Sequence, residues 1–369
     1  ANSTRKAERL GALAQLFASL GYKSVLARGF ALVRDGAGTP LRAASGLAPG
    51  MAISIEFSDG RVAAVTGEGG GAGVRKDDPY YRARSTALFV DEALRFISGR
   101  GERPFYLQLW ALLPHATLNP TPEQMEPFLR LSNRDIAHPS ARTLYYASVA
   151  DLDREIGRLL DRLAELGLAD DTIIVFSSDN GPETTAVVRM RADHGHDPAR
   201  PWRGMKRDDW EGGHRVPLIV RWPARTAPGV NDQTVCLTDL LATCAALTGA
   251  KVPRDAGEDS FSFLPALTGD DDGRPRRTFT LHQTIKSDLA IRRGDWKYLD
   301  HRGSGGNNYD QGELAAFALP DIAPTAPGQL YDLRNDPGER RNLALERPEI
   351  ARELKALLDQ SKASGRSAP

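Results

Sequence analysis

Thr172-Ile173-Ile174-Val175-Phe176-Ser177-Ser178-Asp179-Asn180-Gly181-Pro182-Glu183 is the stretch on which the reading of the fold turns. An unbroken apolar, β-branched run gives way abruptly to serine, aspartate, asparagine, glycine and proline. A short run of this kind predicts a strand buried on both faces, as in a parallel sheet covered by helices. Just before it, Tyr145, Val149, Leu152, Ile156, Leu159, Leu160 and Leu163 recur at helical spacing within residues 142–167. Gly167 suits the position after that helix, where the backbone turns left-handed. Working outward, Pro104–Trp110 reads as another strand leading to Pro114-His115, and Leu218–Trp222 as one stopped by Pro223. A helix is expected around Leu237–Leu247. After a Pro/Gly/Asp-rich stretch at 253–275 come strand patterns at 277–283, 288–293 and 295–299, then a terminal helix at about 347–360. Helices alternating with buried strands define an α/β protein.

In such sheets ligands gather outside the carboxyl ends of the strands, which is where Asp179-Asn180-Gly181 falls. A carboxylate beside an amide oxygen suits a hard divalent cation. The same tripeptide is also a common turn, in which asparagine tolerates the left-handed region. Gly204-Met205-Lys206, with Glu211-Gly212-Gly213-His214-Arg215-Val216-Pro217 after it, combines close-packing glycines with a lysine able to meet an anion. Its bland alternative is a solvated glycine-rich loop. His115 sits at a further strand end, where a single histidine is more often structural than catalytic.

Together these stretches resemble the formylglycine-dependent sulfatases of the alkaline-phosphatase-like superfamily, over residues 78–345. The resemblance rests on Pro104-Phe105-Tyr106-Leu107 with Pro114-His115, on the 172–183 string, and on Lys206 before Glu211-Gly212-Gly213 and Arg215-Val216-Pro217. It continues through Thr238-Asp239-Leu240, Arg293-Gly294-Asp295-Trp296-Lys297-Tyr298, Leu330-Tyr331-Asp332-Leu333, Asp336-Pro337, Glu339 and Asn342-Leu343. The resemblance implies hydrolysis of sulfate esters, small or on a sulfated glycan. It implies that Asp179 and Asn180 are ligands of a calcium ion, and that His115 and Lys206 hold the sulfate or the leaving-group oxygen. The expected fold is the sulfatase core lacking its N-terminal part, with a partial catalytic domain at 78–275 and a small C-terminal antiparallel sheet within 276–369.

One departure bears on activity. The family's paired aspartates and its Cys/Ser-x-Pro-x-Arg motif, the precursor of the formylglycine nucleophile, do not occur before residue 78. Cys236 and Cys244 lie in other contexts, as one local disulfide or as two buried thiols, and a cysteine zinc site is excluded. The expectation is therefore a hydrolase-family chain carrying part of the site, inactive and binding calcium weakly. Asp193-His194-Gly195-His196 reads as a loop beside the substrate opening.

Residues 1–66 read differently. After a helical pattern at 4–20, Tyr22–Ala31, Leu47-Ala48-Pro49-Gly50 and Phe57–Val62 resemble the C-terminal end of the exonuclease VII large subunit, a small β module with a hairpin at Ser58-Asp59-Gly60. Lys23, Arg28, Arg34 and Arg42 are either an ordinary basic surface or a contact for nucleic acid or the exonuclease small subunit. The alternative to a sulfatase is thus a non-catalytic nucleic-acid-associated module, or an inactive fusion. Gly67–Lys76 is rich in glycine, and residues 67–77 read as a linker.

Across 369 residues, 48 basic side chains balance 48 acidic ones, which gives no overall attraction to nucleic acid or anionic lipid. Residues 1–76 nevertheless carry 10 basic against 5 acidic groups. No run approaches the roughly 18 apolar residues of a membrane span. The N-terminal stretch, with Glu8 and Gln15, makes a poor signal peptide. The compartment is left open, cytoplasmic by default although intact sulfatases are often periplasmic or secreted.

Overall fold

The computed structural model describes residues 32–35, 52–57 and 60–65, and beyond them 78–131, 139–184, 188–190, 196–270 and 273–368. The chain separates into two compact units, Ala1–Lys76 and Asp77–Pro369. In the first, β1 (Leu32–Asp35), β2 (Ala52–Phe57) and β3 (Gly60–Val65) form an antiparallel sheet in the order β1-β2-β3. Phe57 pairs with Gly60, the register of the expected hairpin. Lys23, Arg28 and Arg42, the 4–20 helix pattern and the 67–77 linker lie outside the described residues, as does Asp193-His194-Gly195. Arg34 lies on β1.

In the second unit, α1 (Tyr81–Gly99) buries Ala83, Thr86, Val90, Ala93 and Ile97, spaced three and four apart. A single turn, α2 (Pro122–Met125), carries a capping box in which Thr121 and Gln124 satisfy each other's backbone N–H groups. The long helix α3 (Ala141–Glu165) starts at Ser140, whose hydroxyl accepts from the Thr143 N–H, and Gly167 follows its end at φ 68°. Its deepest face coincides with the apolar stripe read in the sequence only at Leu163: Thr143, Ala147, Ser148, Asp151 and Glu155 are also buried, while Tyr145, Val149 and Leu152 are only half-buried. Small side chains on that face let α1 approach closely, and Arg158 fastens the pair by donating to Asp91 at 2.6 Å and to the Ala87 carbonyl at 3.0 Å.

Strand β4 (Ile174–Ser177) forms where the opening stretch predicts it, but its surroundings differ. It pairs antiparallel with β5 (Leu218–Arg221), with Phe176 opposite Ile219, and no third strand joins them among the described residues. Val175 is 37% and Phe176 38% exposed, on opposite faces, so the expectation of a strand buried on both sides is not met. An apolar strand face is buried only where another layer lies on it. The same reason undoes the strand expected at Pro104–Trp110, which has no regular structure and leaves Trp110 79% exposed. A strand exists only against a partner's N–H and C=O groups.

Helix α4 (Glu211–His214), helix α5 (Leu240–Thr248) and the short α6 (Leu264–Thr268) follow. Both cysteines are free; Cys236 is half-buried, whereas Cys244 on α5 is exposed rather than buried, because α5 is wet on its outer side. Asp239 ties this region together, accepting from the Cys236 N–H at 2.8 Å and the Phe261 N–H at 2.9 Å while paired with buried Arg277. The C-terminal sheet is antiparallel, β6 (Thr280–Gln283), β7 (Leu289–Arg293), β8 (Trp296–Leu299) and β9 (Gln329–Asp332), in that order. Helix α7 (Pro348–Ser364) covers one face, where Leu354 and Leu358 join Ile291, Tyr298 and Leu330 in the core. The opposite face, through Ala290, Leu299 and Tyr331, packs on Trp210. That contact sets the sheet directly behind the 203–214 loop.

Candidate anion site at the end of strand β4

The polypeptide leaving β4 turns through Asp179-Asn180-Gly181 and locks onto the 203–213 loop. Gly181 N–H donates to the Gly213 carbonyl at 2.8 Å, and Lys206 N–H to the Pro182 carbonyl at 2.9 Å. Only glycine fits here: a Cβ on Gly181 would lie 1.8 Å from the Gly212 oxygen, and one on Gly213 would lie 2.0 Å from the Asp208 oxygen. Close backbone packing is thus the reason for the glycines seen in the sequence.

Three basic groups meet at one carboxylate. Glu183 lies 3.6 Å from Lys206 Nζ and 3.9 Å from His115 Nε2, both measured to Oε2. Arg207 grips it as a fork, Nη1 donating to Oε1 at 2.7 Å and Nη2 to Oε2 at 3.2 Å. The Thr184 N–H and hydroxyl donate to Oε1 at 3.0 and 2.6 Å. Burial acts to raise the Glu183 pKa, but the Arg207 and Thr184 hydrogen bonds outweigh it and hold the carboxyl at about 2. The structure therefore brings His115 and Lys206 together around a residue that the sequence reading quoted without a role. Arg207, immediately after Lys206, was missed; its only signal was a second cation beside the first.

Asp179 is exposed, and its carboxylate has no hydrogen bond or ion pair with another described residue. Asn180 is half-buried and donates its amide N–H to the Gly181 carbonyl at 3.0 Å, which leaves its side-chain oxygen as the acceptor. These are two oxygen donors, against the roughly six to eight that calcium takes. No group of three or more His, Cys, Asp or Glu side chains that could hold a metal occurs among the described residues. The donor set is too small for a calcium ion on these residues alone, and no chemical step is routed through one here.

Beneath the loop lies a network of buried charge. Asp208 accepts from the Met205 N–H at 3.0 Å, Tyr309 Oη at 2.5 Å and Asn307 Nδ2 at 2.8 Å; burial raises its pKa against those bonds. Asn307 also donates to the Lys206 carbonyl at 2.9 Å. Further in, Lys297 on β8 lies 3.1 Å from Glu211 and 3.3 Å from Glu339, all three side chains at most 1% exposed. Burial works to raise both acids. Lys297 and Arg292 nonetheless hold Glu211 well below the usual carboxylate range, while burial and the Glu211 charge leave Glu339 raised.

His214 and His282 touch beside this lysine, with ring centroids 3.6 Å apart. Burial, then the Lys297 charge, brings His282 down to about 3, and burial holds His214 well below its ordinary value. An unfolded His282 takes up its proton near pH 6.5, whereas the folded one stays neutral far below that. Between those limits the unfolded chain binds more protons, so stability falls as pH falls. From this group alone, lowering pH from 6.5 to 5 is expected to cost on the order of 2 kcal/mol. Raised Glu339 acts in the opposite sense, its contribution fading as pH rises from 4.5 toward 7, but it is common to the two proteins compared. Urea unfolding at both pH values should show a smaller acid loss for His282→Gln; equal losses would mean that this imidazole does not titrate on unfolding.

Geometrically this is an α/β protein in which Lys206, Arg207 and His115 gather around Glu183 beyond a strand's carboxyl end. The chain belongs to the sulfatase family: the Sulfatase family model matches residues 4–250. That match begins at residue 4, within the stretch for which the sequence suggested an exonuclease VII-like module. The chain is 32% identical over 281 residues to the N-acetylgalactosamine-6-O-sulfatase of Bacteroides thetaiotaomicron, covering 74% of this chain and 50% of that protein. It is 32% identical over 266 residues to human arylsulfatase A, covering 70% of this chain and 48% of that protein. Among solved structures, a sulfatase from a glycosaminoglycan-metabolism locus of Bacteroides thetaiotaomicron superposes with a TM-score of 0.63 at 31% identity, covering 76% of this chain and 55% of that one. The PsFucS1 sulfatase from Pseudoalteromonas sp. gives 0.60 at 25% identity, covering 85% and 58%. The chain thus spans about half the length of the curated relatives it matches. Its fold is the mixed α/β sulfatase fold with a small antiparallel C-terminal sheet. No helix among the described residues is long and apolar enough to cross a membrane.

Proposed function

We propose that the end of β4 is the sulfate-binding half of a sulfatase site, recognising the sulfate group of an ester on a sugar or an aryl alcohol. The observation that carries this is the convergence of Lys206, His115 and Arg207 on one carboxylate beside Asp179-Asn180. Lys206 supplies a point charge to a sulfate oxygen. His115, half-exposed at the same position, faces the leaving oxygen and can hand it a proton. Donors aimed at a developing oxyanion are the largest electrostatic contribution in such sites. Asp179 and Asn180 would supply two oxygens to a calcium ion of the kind the family uses, the remaining ligands having to come from elsewhere. Likeness to an N-acetylgalactosamine-6-O-sulfatase supports a sulfated sugar as the substrate class.

Turnover also needs a nucleophile. The Cys/Ser-x-Pro-x-Arg precursor is absent before residue 78, and Cys236 caps a turn through the Asp239 carboxylate instead. This chain by itself is therefore expected to bind inorganic sulfate in the millimolar range without hydrolysing an aryl sulfate, calcium present or not. An aryl-sulfate assay alongside sulfate-binding calorimetry, on the chain and on Lys206→Ala, tests both halves. Loss of sulfate binding in the variant supports the site. Turnover above background that vanishes in the variant would overturn the inactive reading, and sulfate binding unaffected by the substitution would overturn the site.

A further inference from the structure

Glu183 occupies the place where an anionic ligand of Lys206 and His115 would sit, and its surroundings are those of a bound oxyanion. Four donor groups close on its two oxygens, both Arg207 amino groups and the Thr184 N–H and hydroxyl, with the Lys206 ammonium paired at 3.6 Å and His115 just beyond. An Arg fork is the preferred partner of a planar carboxylate, and it serves a tetrahedral sulfate equally well. Arg207 holds this pose from a left-handed backbone, φ 85°, uncommon for a residue with a Cβ. The neighbourhood enforces it, since Gly306 packs so tightly that a Cβ there would lie 1.9 Å from the Arg207 oxygen. Conformational strain maintained by packing is a recurrent mark of functional positions.

We infer that Arg207 is a third cation of the sulfate site and that Glu183 is its built-in occupant, a carboxylate that an incoming sulfate group must displace. This rests on the sulfate-site reading above and adds to it a binding residue and a threshold. When Glu183 swings outward, the donors it held, Arg207, Lys206 and the Thr184 N–H, remain to receive sulfate oxygens. A neutral sugar brings no charge to compete for them and is therefore excluded. The ester's single negative charge takes the carboxylate's place against Arg207 and Lys206, so those cations stay paired on exchange.

The test uses the full chain and sodium sulfate at constant ionic strength, followed by calorimetry. Glu183→Gln, isosteric and uncharged, is expected to bind sulfate roughly tenfold tighter, and Glu183→Ala to show the same direction if the glutamine itself stays in the pocket. In the Glu183→Gln background, adding Arg207→Met should return the affinity to or below that of the parent chain, showing that Arg207 meets the anion and does not merely anchor Glu183. Circular dichroism confirms that each variant is folded. Parent chain and both Glu183 variants binding sulfate equally would overturn the occupant while leaving the sulfate site standing. No binding by any of them would overturn both. An unchanged affinity on adding Arg207→Met would remove Arg207 from the site.

Discussion

Lys297→Met is expected to lower the unfolding free energy by about 3–5 kcal/mol, the cost of leaving a buried charge without its partner. Lys297 is fully buried, and its ammonium lies between Glu211 at 3.1 Å and Glu339 at 3.3 Å. Methionine matches the shape of the stem and removes only the charge, so packing loss is minor. Glu211 keeps Arg215 and Arg292, each 3.1 Å away, whereas Glu339 loses its cation among the described residues. Adding Glu339→Gln should accordingly recover part of the loss, which a further independent defect would not. Urea unfolding of the single and double variants measures this. A cost below about 1 kcal/mol for the single variant would mean that the buried pairing of Lys297 with Glu211 and Glu339 contributes little to stability. The loss should reach the candidate site, because Glu339 accepts the Glu211 N–H at 2.7 Å and the next two residues are the glycines packed on Gly181.

Gly181→Ala is the second large effect. Its added methyl would lie 1.8 Å from the Gly212 oxygen and 2.9 Å from the Gly212 carbonyl carbon, both backbone atoms that no rotamer change can move. The two loops must separate, which breaks the Gly181 N–H bond to Gly213 and draws the Pro182 carbonyl away from the Lys206 N–H. Overpacking of this kind costs about 1–3 kcal/mol, and more where backbone meets backbone. Sulfate affinity is expected to fall with it, since Lys206 and Glu183 stand on opposite sides of that seam. A control, Gly229→Ala, meets nothing within 4 Å and should leave both quantities unchanged. Full sulfate affinity and full stability in Gly181→Ala would contradict the close contact of the two loops.

Much of the architecture was legible in residue order because it depends on local pattern. Helix α3 and its Gly167 end, the β7–β8 hairpin around Gly294, and the terminal helix over the sheet all follow from spacing and turn chemistry. The terminal helix runs longer than its apolar pattern, to Ser364, because Gly365 at φ 70° rather than the last leucine ends it. Burial was less legible. The α3 face that packs deepest is the one with alanine, serine and two acids, a pattern that composition assigns to solvent; Arg154 and Arg158 make it possible by pairing with Asp151 and Glu155.

By itself the sequence determined the class of the protein and singled out Asp179, Asn180, Lys206 and His115 as the residues to look for, because those lie in short strings whose spacing survives translation into any register. Only the tertiary structure decided that His115 and Lys206 share one carboxylate, that Arg207 completes the grip on it, and that Lys297 lies buried between Glu211 and Glu339 beneath them. These partners are separated by up to 136 positions along the chain, as in the Arg203 contact with the Glu339 carbonyl that braces the same loop. A local string carries no information about which distant charge will be buried beside it. Burial is decided by the layers that close over a residue, and for Val175 and Phe176 no such layer is present among the described residues.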